Sequence, residues 1–336
     1  MHPADLITES IALTGSFACV GLDPRPSLLP PALIARHAGR HGDTAQAVAS
    51  AFVEFNKGII EAVGGRCAVV KPQAACYEAY GSPGWDALAA TVEAAHSAGI
   101  PVIVDAKRGD IGSTADHYAQ ALFGGAPTLG GAPVAGLGAD WVTVNAYMGT
   151  EAILPFLADD PGGLDRATVA VTERGSMPVA AAVASPAATS GGVFVLVRTS
   201  NPSGGEVQAL RSGGVGDDLS TVADEVARLV ERMGDGRHGT CGFSDVGAVV
   251  GATHPEEARR LRRLMPRALF LVPGYGAQGG TAVDAVAGAC SDGSGVLVSA
   301  SRSIAGAWQH GADDWRAAAG DELDRMNLEL VAALDS

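Results

Sequence analysis

A lysine between two aspartates follows directly on a short apolar run of β-branched residues. The run 102–105 ends in Asp105, and Lys107 and Asp110 come within the next five residues. Side chains alternate between the two faces of a strand, so Asp105 and Lys107 share a face, and nearby carboxylates hold the lysine as an ammonium. A salt bridge that merely ends the strand is the alternative. Because three charges clustered at the end of an apolar strand are costly without a function, the spacing predicts a charged active site there.

Polar residues at the ends of three other apolar runs could join this site. Asp23, Lys71 and Ser200 each lie at the end of such a run or two residues beyond it. In α/β barrels, the carboxyl-terminal ends of the strands carry the chemistry. A lysine at the end of an apolar strand is poorly placed for a solvated surface role, although its long side chain can also extend past apolar surface to water.

A glycine-rich segment and an arginine follow the last two apolar runs. The segment 273–280 contains four glycines, Gly276 among them, and Arg302 comes after the final run. Backbone N–H groups in such a segment can surround an anion, and a guanidinium supplies a fixed fork of donors. The loops after strands seven and eight commonly bind phosphate in α/β barrels. Taken alone, the segment could consist of ordinary turn glycines. The segment and Arg302 together predict a phosphate site.

Eight short apolar runs recur along the chain and indicate its architecture. They cover 17–21, 68–71, 102–105, 141–145, 193–198, 247–251, 268–272 and 295–299. Most of the gaps show helical periodicity, as in the apolar residues from Val48 to Val63. Eight such units without a break in composition predict a closed (β/α)8 barrel of the α/β class, formed by residues 1–336 as a single domain. A doubly wound open sheet is the alternative, but an early Gly-x-Gly-x-x-Gly motif is missing from the sequence.

Three local signals refine this picture. The segments 124–138 and 175–192 are rich in small residues and proline, and we expect both to be long loops. Thr253, followed by Pro255 and Glu256, predicts a helix N-cap with a capping box after the sixth strand.

The overall composition bounds the class of protein. With 47% hydrophobic and 18% charged residues, the chain can bury a sizeable core. A net charge of −14 argues against nucleic acid or an anionic membrane as a partner, although a local basic cluster can still bind an anionic small molecule. Five cysteines are scattered without a Cys-x-x-Cys pair, which indicates buried thiols in a reducing cytoplasm. The acidic N-terminus is not expected to be a signal peptide, and no apolar run approaches the roughly 20 residues that span a membrane.

Several motifs together resemble one known family. They are Cys19-Val-Gly-Leu-Asp-Pro24, Lys71-Pro-Gln73, Asp105-Ala-Lys107-Arg-Gly-Asp110, Arg198-Thr-Ser-Asn-Pro202, Pro273-Gly-Tyr-Gly-Ala-Gln278 and Arg302. Over most of its length the chain is similar to orotidine 5′-phosphate decarboxylases, and more narrowly to the longer variant found in many bacteria. One departure is Ala146, where the family pattern is expected to have a proline, and it concerns the geometry of that loop.

The resemblance implies a reaction and a set of catalytic residues. It implies decarboxylation of orotidine 5′-phosphate to UMP in pyrimidine biosynthesis, with no metal or organic cofactor. Lys107 is implied to protonate C6 of the pyrimidine after carbon dioxide leaves. Asp105, Lys71 and Asp110 are implied to complete an alternating charged array. A positioned ammonium suits this reaction because the carbanion at C6 has no adjacent electron sink.

The resemblance also implies substrate contacts and a second subunit. In this family Asp110 and Thr114 reach into the neighbouring subunit's site, which implies a homodimer with shared active sites. The residues implied to bind substrate are Asp23 for the ribose hydroxyls, Ser200 for the pyrimidine ring, and Gln278 with Arg302 for the 5′-phosphate.

Two other functions fit parts of this pattern. A sister enzyme of the same superfamily shares the Asp-x-Lys-x-x-Asp spacing and acts on keto-sugar phosphates through a Mg²⁺-stabilised enediolate. Lys71 and the Arg108-Gly109 pair argue against it, and insensitivity to EDTA would discriminate. A phosphate-binding barrel without activity, used as an interaction module, is the other possibility, and the intact charged array argues against it.

Overall fold

The computed structural model describes residues 1–157, 191–212 and 220–335, and its central feature is a parallel barrel. The strands are β1 (Ala18–Leu22), β2 (Val69–Pro72), β3 (Ile103–Arg108), β4 (Trp141–Val144), β5 (Gly192–Arg198), β6 (Val246–Val250), β7 (Phe270–Val272) and β8 (Val296–Ala300). They lie side by side in the order β2-β1-β8-β7-β6-β5-β4-β3. Parallel bridges from Val70 to Val102 and from Gln73 to Asp105 bring β2 against β3 and close the ring. The predicted (β/α)8 barrel is confirmed, and the open sheet is wrong.

Helices surround the barrel and cover one of its ends. They are α1 (Pro3–Thr14), α2 (Pro31–His41), α3 (Ala45–Val63), α4 (Ala74–Glu78), α5 (Gly81–Ser97), α6 (Gly112–Phe123), α7 (Gly205–Gln208), α8 (Val222–Gly234), α9 (Pro255–Leu264), α10 (Ala282–Ala285), α11 (Arg302–Ala305) and α12 (Trp315–Leu334). Within the described ranges, no helix has both the length and the apolar character needed to cross a membrane.

Helix α3 shows how the sequence builds the outer layer. Thr44 caps its first turn by accepting from the N–H of Ala47. Phe52, Phe55 and Ile59 recur at helical spacing and are buried in the core between the strands and the helices. Burial of each such side chain is worth about 1.5–3 kcal/mol, so this stripe fixes the helix against the barrel.

The start of α9 differs from the prediction. Its N-cap is His254, which makes no side-chain hydrogen bond to the first turn in the described structure. Thr253 Oγ1 instead donates to the carbonyl oxygen of Ser200 at 3.4 Å. The predicted capping box is therefore wrong, because the hydroxyl contacts a loop after a neighbouring strand.

The barrel interior forms a core of its own, which α1 completes. Inward side chains such as Trp141, Phe194 and Leu297 pack there, and Ile7 of α1 belongs to the same cluster. Ser10 of α1 donates to the carbonyl oxygen just before β2 at 2.5 Å. Helix α1 therefore covers the amino-terminal end of the barrel, opposite the strand ends that carry the predicted site residues.

The two predicted loops are described only in part. Within 124–138, Ala126–Pro127 pairs with Pro133–Val134 as a short antiparallel hairpin, which the composition did not indicate. Residues 175–190 of the other segment lie outside the described residues. Gly192 was assigned to that loop, but it is the first residue of β5.

A histidine–carboxylate pair at the amino-terminal end of the barrel predicts a pH-dependent contribution to stability. His96 Nε2 lies 3.0 Å from Asp140 Oδ2, which also accepts from the N–H of Val102 at 2.8 Å. The hydrogen bond to Asp140 raises the pKa of His96 above its ordinary value. The resulting stabilisation is therefore present below the unfolded-state pKa of about 6.5 and is lost as the pH rises through the folded-state pKa.

We expect His96→Gln to lower the free energy of unfolding near pH 5.5 and to have a smaller effect near pH 8.5. Urea denaturation at both pH values measures the difference. In an Asp140→Asn background the same substitution should lose its pH dependence. An equal loss at both pH values in the native background would contradict the pairing.

Candidate active site

The carboxyl-terminal ends of the strands surround a cleft of about 440 Å³. Seven of the ten predicted site residues line this cleft, namely Asp23, Lys71, Asp105, Lys107, Ser200, Gln278 and Arg302. They lie near the carboxyl-terminal ends of six different strands, with Asp105 and Lys107 on the same one, and closure of the barrel brings them together.

Asp105 is the centre of a hydrogen-bond network in the cleft. Its Oδ1 accepts from Lys107 Nζ at 2.6 Å and from Thr143 Oγ1 at 2.7 Å. Its Oδ2 accepts from Lys71 Nζ at 2.9 Å and from Gln73 Nε2 at 3.0 Å. The carboxylate is buried, and its four donors fix it so that each oxygen holds one ammonium group.

Burial and charge have opposite effects on this network. Burial by itself raises the pKa of Asp105, but the ammonium groups of Lys71 and Lys107 outweigh it and hold the pKa well below its usual range. Burial likewise lowers the pKa of Lys71, and the carboxylates of Asp105 and Asp23 outweigh it and raise the pKa above the ordinary value. Asp105 and Lys71 are therefore both ionised at neutral pH.

Lys107 has a strained backbone. Among the described residues other than glycine, it alone has a left-handed conformation, with φ at 49°. Such a conformation costs about 1–3 kcal/mol and is found most often at functional sites. Its N–H donates to Thr143 Oγ1 at 2.9 Å, and its side chain is 45% exposed. The ammonium thus reaches the open cleft while it stays bonded to Asp105.

Asp23 presents an acceptor that no described donor satisfies. Its Oδ1 is buried, and none of the residues in the described ranges hydrogen-bonds to it. An unsatisfied buried acceptor costs about 1–3 kcal/mol, and Asp23 itself lines the cleft, where its carboxylate can contact a ligand.

The segment that carries Ser200 is held from behind by the buried side chain of Arg198 and by two half-buried side chains. Arg198, at the end of β5, donates to both carboxylate oxygens of Glu257 at 2.9 and 3.2 Å. Gln208 Oε1 accepts from the N–H of Thr199 at 3.0 Å and from Arg198 Nη1 at 3.2 Å. These contacts anchor the backbone just before Ser200 and so fix where its hydroxyl enters the cleft.

The glycine-rich segment lies beside Arg302, but the N–H groups of three of its four glycines are already used. Those of Gly276, Gly279 and Gly280 donate to carbonyl oxygens within the segment. In this conformation these three N–H groups are not free to surround an anion, because the turn uses them to hold itself together. Gly276 does not line the cleft formed by the described residues, whereas Gln278 and Arg302 do.

Asp110 and Thr114 lie outside the cleft of their own chain. Asp110 Oδ1 accepts from the N–H of Ile111 at 2.8 Å, and Thr114 lies in the first turn of α6. Neither belongs to the described lining of the cleft. Within one chain, the charged array therefore consists of Lys71, Asp105 and Lys107.

The sequence reasoning missed two residues that bind Asp105 directly. Thr143 is a polar residue in the middle of the apolar strand β4, and an isolated hydroxyl in such a run was the available signal. Gln73 lies two positions after Lys71, so the period of a strand places both side chains on one face. Arg25 also lines the cleft, but in the sequence it resembles any other loop arginine.

Fold and site together define an α/β-barrel enzyme with two ammonium groups fixed on one carboxylate at the mouth of the barrel. Residues 18–314 match the model of the orotidine 5′-phosphate decarboxylase / HUMPS family, and the chain belongs to this family. The chain is 39% identical over 301 residues to the orotidine 5′-phosphate decarboxylase of Rhodopirellula baltica, a match that covers 90% of this chain and 87% of that protein.

Solved structures show the same similarity. The OMP decarboxylase of Leishmania donovani superposes with a TM-score of 0.66 at 32% identity, and the match covers 100% of both chains. The UMP synthase of Leishmania donovani superposes with a TM-score of 0.67 at 34% identity. That match covers 99% of this chain and 57% of the synthase, so the chain spans little more than half the length of that protein.

Proposed function

We propose that this protein decarboxylates orotidine 5′-phosphate to UMP in the synthesis of pyrimidine nucleotides. The observation that carries the proposal is the Asp105 carboxylate, with Lys71 bound to one oxygen and Lys107 to the other. Membership of the family supports the same reaction.

The reaction needs a positive charge fixed where negative charge develops. Loss of CO₂ from C6 leaves a carbanion without an adjacent electron sink, and Lys107 supplies a preorganised ammonium and then the proton. Asp105 lies beside the substrate carboxylate and disfavours it more than the less charged transition state. Lys71 keeps Asp105 ionised by its own positive charge.

Binding of the rest of the substrate supplies much of the remaining rate enhancement. Enzymatic accelerations correspond to about 8–23 kcal/mol, which one ammonium cannot provide alone. Gln278 and Arg302 bind the 5′-phosphate, and this remote binding energy closes loops and excludes water. Asp23 binds the ribose hydroxyls and Ser200 binds the pyrimidine ring, since both residues line the cleft.

We further propose a homodimer with shared active sites. Asp110 and Thr114 are outside the described lining of their own chain's cleft, as residues that serve a neighbouring subunit would be. Exposed apolar side chains nearby, those of Ile111, Tyr147 and Met148, support a protein–protein surface at this end of the barrel.

Two further proposals concern the chain as a whole. Residues 1–336 form one domain, which a family match over residues 18–314 supports. The protein acts in the cytoplasm, since five free cysteines suit a reducing compartment.

A spectrophotometric assay with orotidine 5′-phosphate tests the proposed reaction, and EDTA separates it from the Mg²⁺-dependent alternative. We expect conversion to UMP at a rate that EDTA leaves unchanged. Turnover of a keto-sugar phosphate that EDTA abolishes, with orotidine 5′-phosphate untouched, would establish the other activity. Phosphate binding without turnover of either compound would indicate an interaction module.

We expect Arg302→Ala to raise KM by about tenfold to a hundredfold, because a charged hydrogen bond to phosphate is worth about 1.5–3 kcal/mol. The kcat also falls to the extent that phosphate contacts drive loop closure. Steady-state kinetics with orotidine 5′-phosphate measure both effects, with the exposed Arg263→Ala as the matched control. Comparable losses on orotidine, which lacks the phosphate, would show that Arg302 does not contact that group.

A further inference from the structure

The strained turn at Lys107 is held on one side by the side chain of the next residue, Arg108, and on the other by the backbone of that residue. Arg108 Nη1 donates to the carbonyl oxygen of Ala106 at 3.1 Å, so the guanidinium reaches back past Lys107. The carbonyl oxygen of Arg108 accepts from the N–H of Asn145 at 2.7 Å. Contacts of Arg108 therefore hold the backbone on both sides of Lys107.

The guanidinium of Arg108 is itself held by two helices. Its Nη2 donates to Glu78 Oε1 at the end of α4. From α6, the ring of Tyr118 has its centroid 5.3 Å from the guanidinium carbon, within range of a cation–π contact. The Arg108 side chain is only 22% exposed. It is therefore a fixed part of the wall around the turn and not a mobile surface group.

The opposite side of the turn is confined by β4. A Cβ atom at Gly109 would lie 2.7 Å from the carbonyl oxygen of Asn145, so the chain passes that strand end closely. Thr143 of β4 accepts from the N–H of Lys107 at 2.9 Å. The left-handed residue thus lies between β4 on one side and the held guanidinium on the other.

We propose that Arg108, held by Glu78, is a positioning residue that fixes the strained backbone of Lys107 and so directs its ammonium into the cleft. The proposal rests on the function proposed above, in which that ammonium stabilises the carbanion. A left-handed conformation is unfavourable for lysine, so the turn relaxes when the guanidinium is removed. Because misplacement by about 1 Å can cost about a hundredfold in rate, the effect falls on turnover and not on substrate binding.

Steady-state kinetics of Arg108→Ala and Glu78→Gln test this role. We expect Arg108→Ala to lower kcat by about tenfold to a hundredfold with KM within about threefold of wild type, and Glu78→Gln to act in the same direction more weakly. Millimolar guanidinium ion should restore part of the kcat of Arg108→Ala, since it can occupy the vacated place beside Glu78. Arg66→Ala, which breaks the surface pair with Asp324, is the matched control and should show neither the loss nor the rescue.

Three outcomes would overturn the proposal. One is a kcat of Arg108→Ala within about twofold of wild type. Another is a loss of kcat that guanidinium does not rescue and that is accompanied by a comparable rise in KM and by a fall in the thermal midpoint. That combination indicates general structural damage. The third outcome applies if Arg108→Ala does not fold. In that case, unchanged kcat values in both Arg108→Lys and Glu78→Gln would overturn the proposal. A wild-type protein inactive on orotidine 5′-phosphate would instead overturn the proposed function, so the two failures are distinguishable.

Discussion

Replacement of Lys107 by alanine is expected to abolish turnover while it leaves the fold and much of the affinity for UMP intact. The decisive interaction of the Lys107 ammonium is with charge that develops at C6, so its loss falls on kcat. Removal of one donor aimed at such charge costs about 10²–10³ in kcat, and Lys107 also supplies the proton. We therefore expect a loss of at least about a thousandfold, measured by steady-state kinetics, with calorimetric titration of UMP to measure binding.

The control for this prediction removes the same side chain elsewhere. Lys57 is exposed on α3 and does not belong to the described lining of the cleft, so Lys57→Ala should keep wild-type kinetics. If folded Lys107→Ala kept about a tenth of the wild-type kcat, Lys107 would not be the acid. A loss of UMP affinity as large as the loss of rate would show that Lys107 binds the ground state as strongly as it binds the transition state.

The strands were predictable because parallel strands buried on both faces need short, continuously apolar runs, and such runs are visible in the sequence. Two other features of the fold were not predictable from composition or local chemistry. Three of the four residues paired in the hairpin of Ala126–Pro127 and Pro133–Val134 are alanine or proline, which are poor strand formers, and its composition resembles that of a loop. Thr253 has the chemistry of an N-cap, but a contact with the loop at Ser200 takes its hydroxyl.

The charged part of the site was predictable from position alone, since Asp105 and Lys107 share a strand face at the end where barrels place their chemistry. The left-handed backbone of Lys107 was not predictable, because lysine ordinarily avoids this conformation and contacts from Arg108 and Thr143 hold it there. At Gly276, the sequence suggested a free backbone N–H that the structure does not have. Glycine indicates freedom of the backbone, but the sequence does not say whether its N–H is left for a ligand or used by the turn.

The proposed shared active site predicts that two inactive variants will complement each other. Asp110 serves the partner's site in this proposal, whereas Arg302 serves its own. Asp110→Ala homodimers should be nearly inactive, and so should Arg302→Ala homodimers at substrate concentrations well below their raised KM. In a heterodimer, the intact Arg302 of one chain meets the intact Asp110 of the other, which restores one complete site and leaves the second site with both defects.

Random exchange of equal amounts of the two chains makes about half of the dimers mixed, so about a quarter of all sites should become functional. Mass spectrometry of differently tagged chains must first show that subunits exchange. We expect the activity to rise towards about a quarter of the wild-type value at the rate of subunit exchange. This result requires that Asp110 acts across the interface, because a partner could not relieve either defect if both residues acted within one chain. Exchange without recovered activity would mean that Asp110 acts within its own chain or only supports the fold.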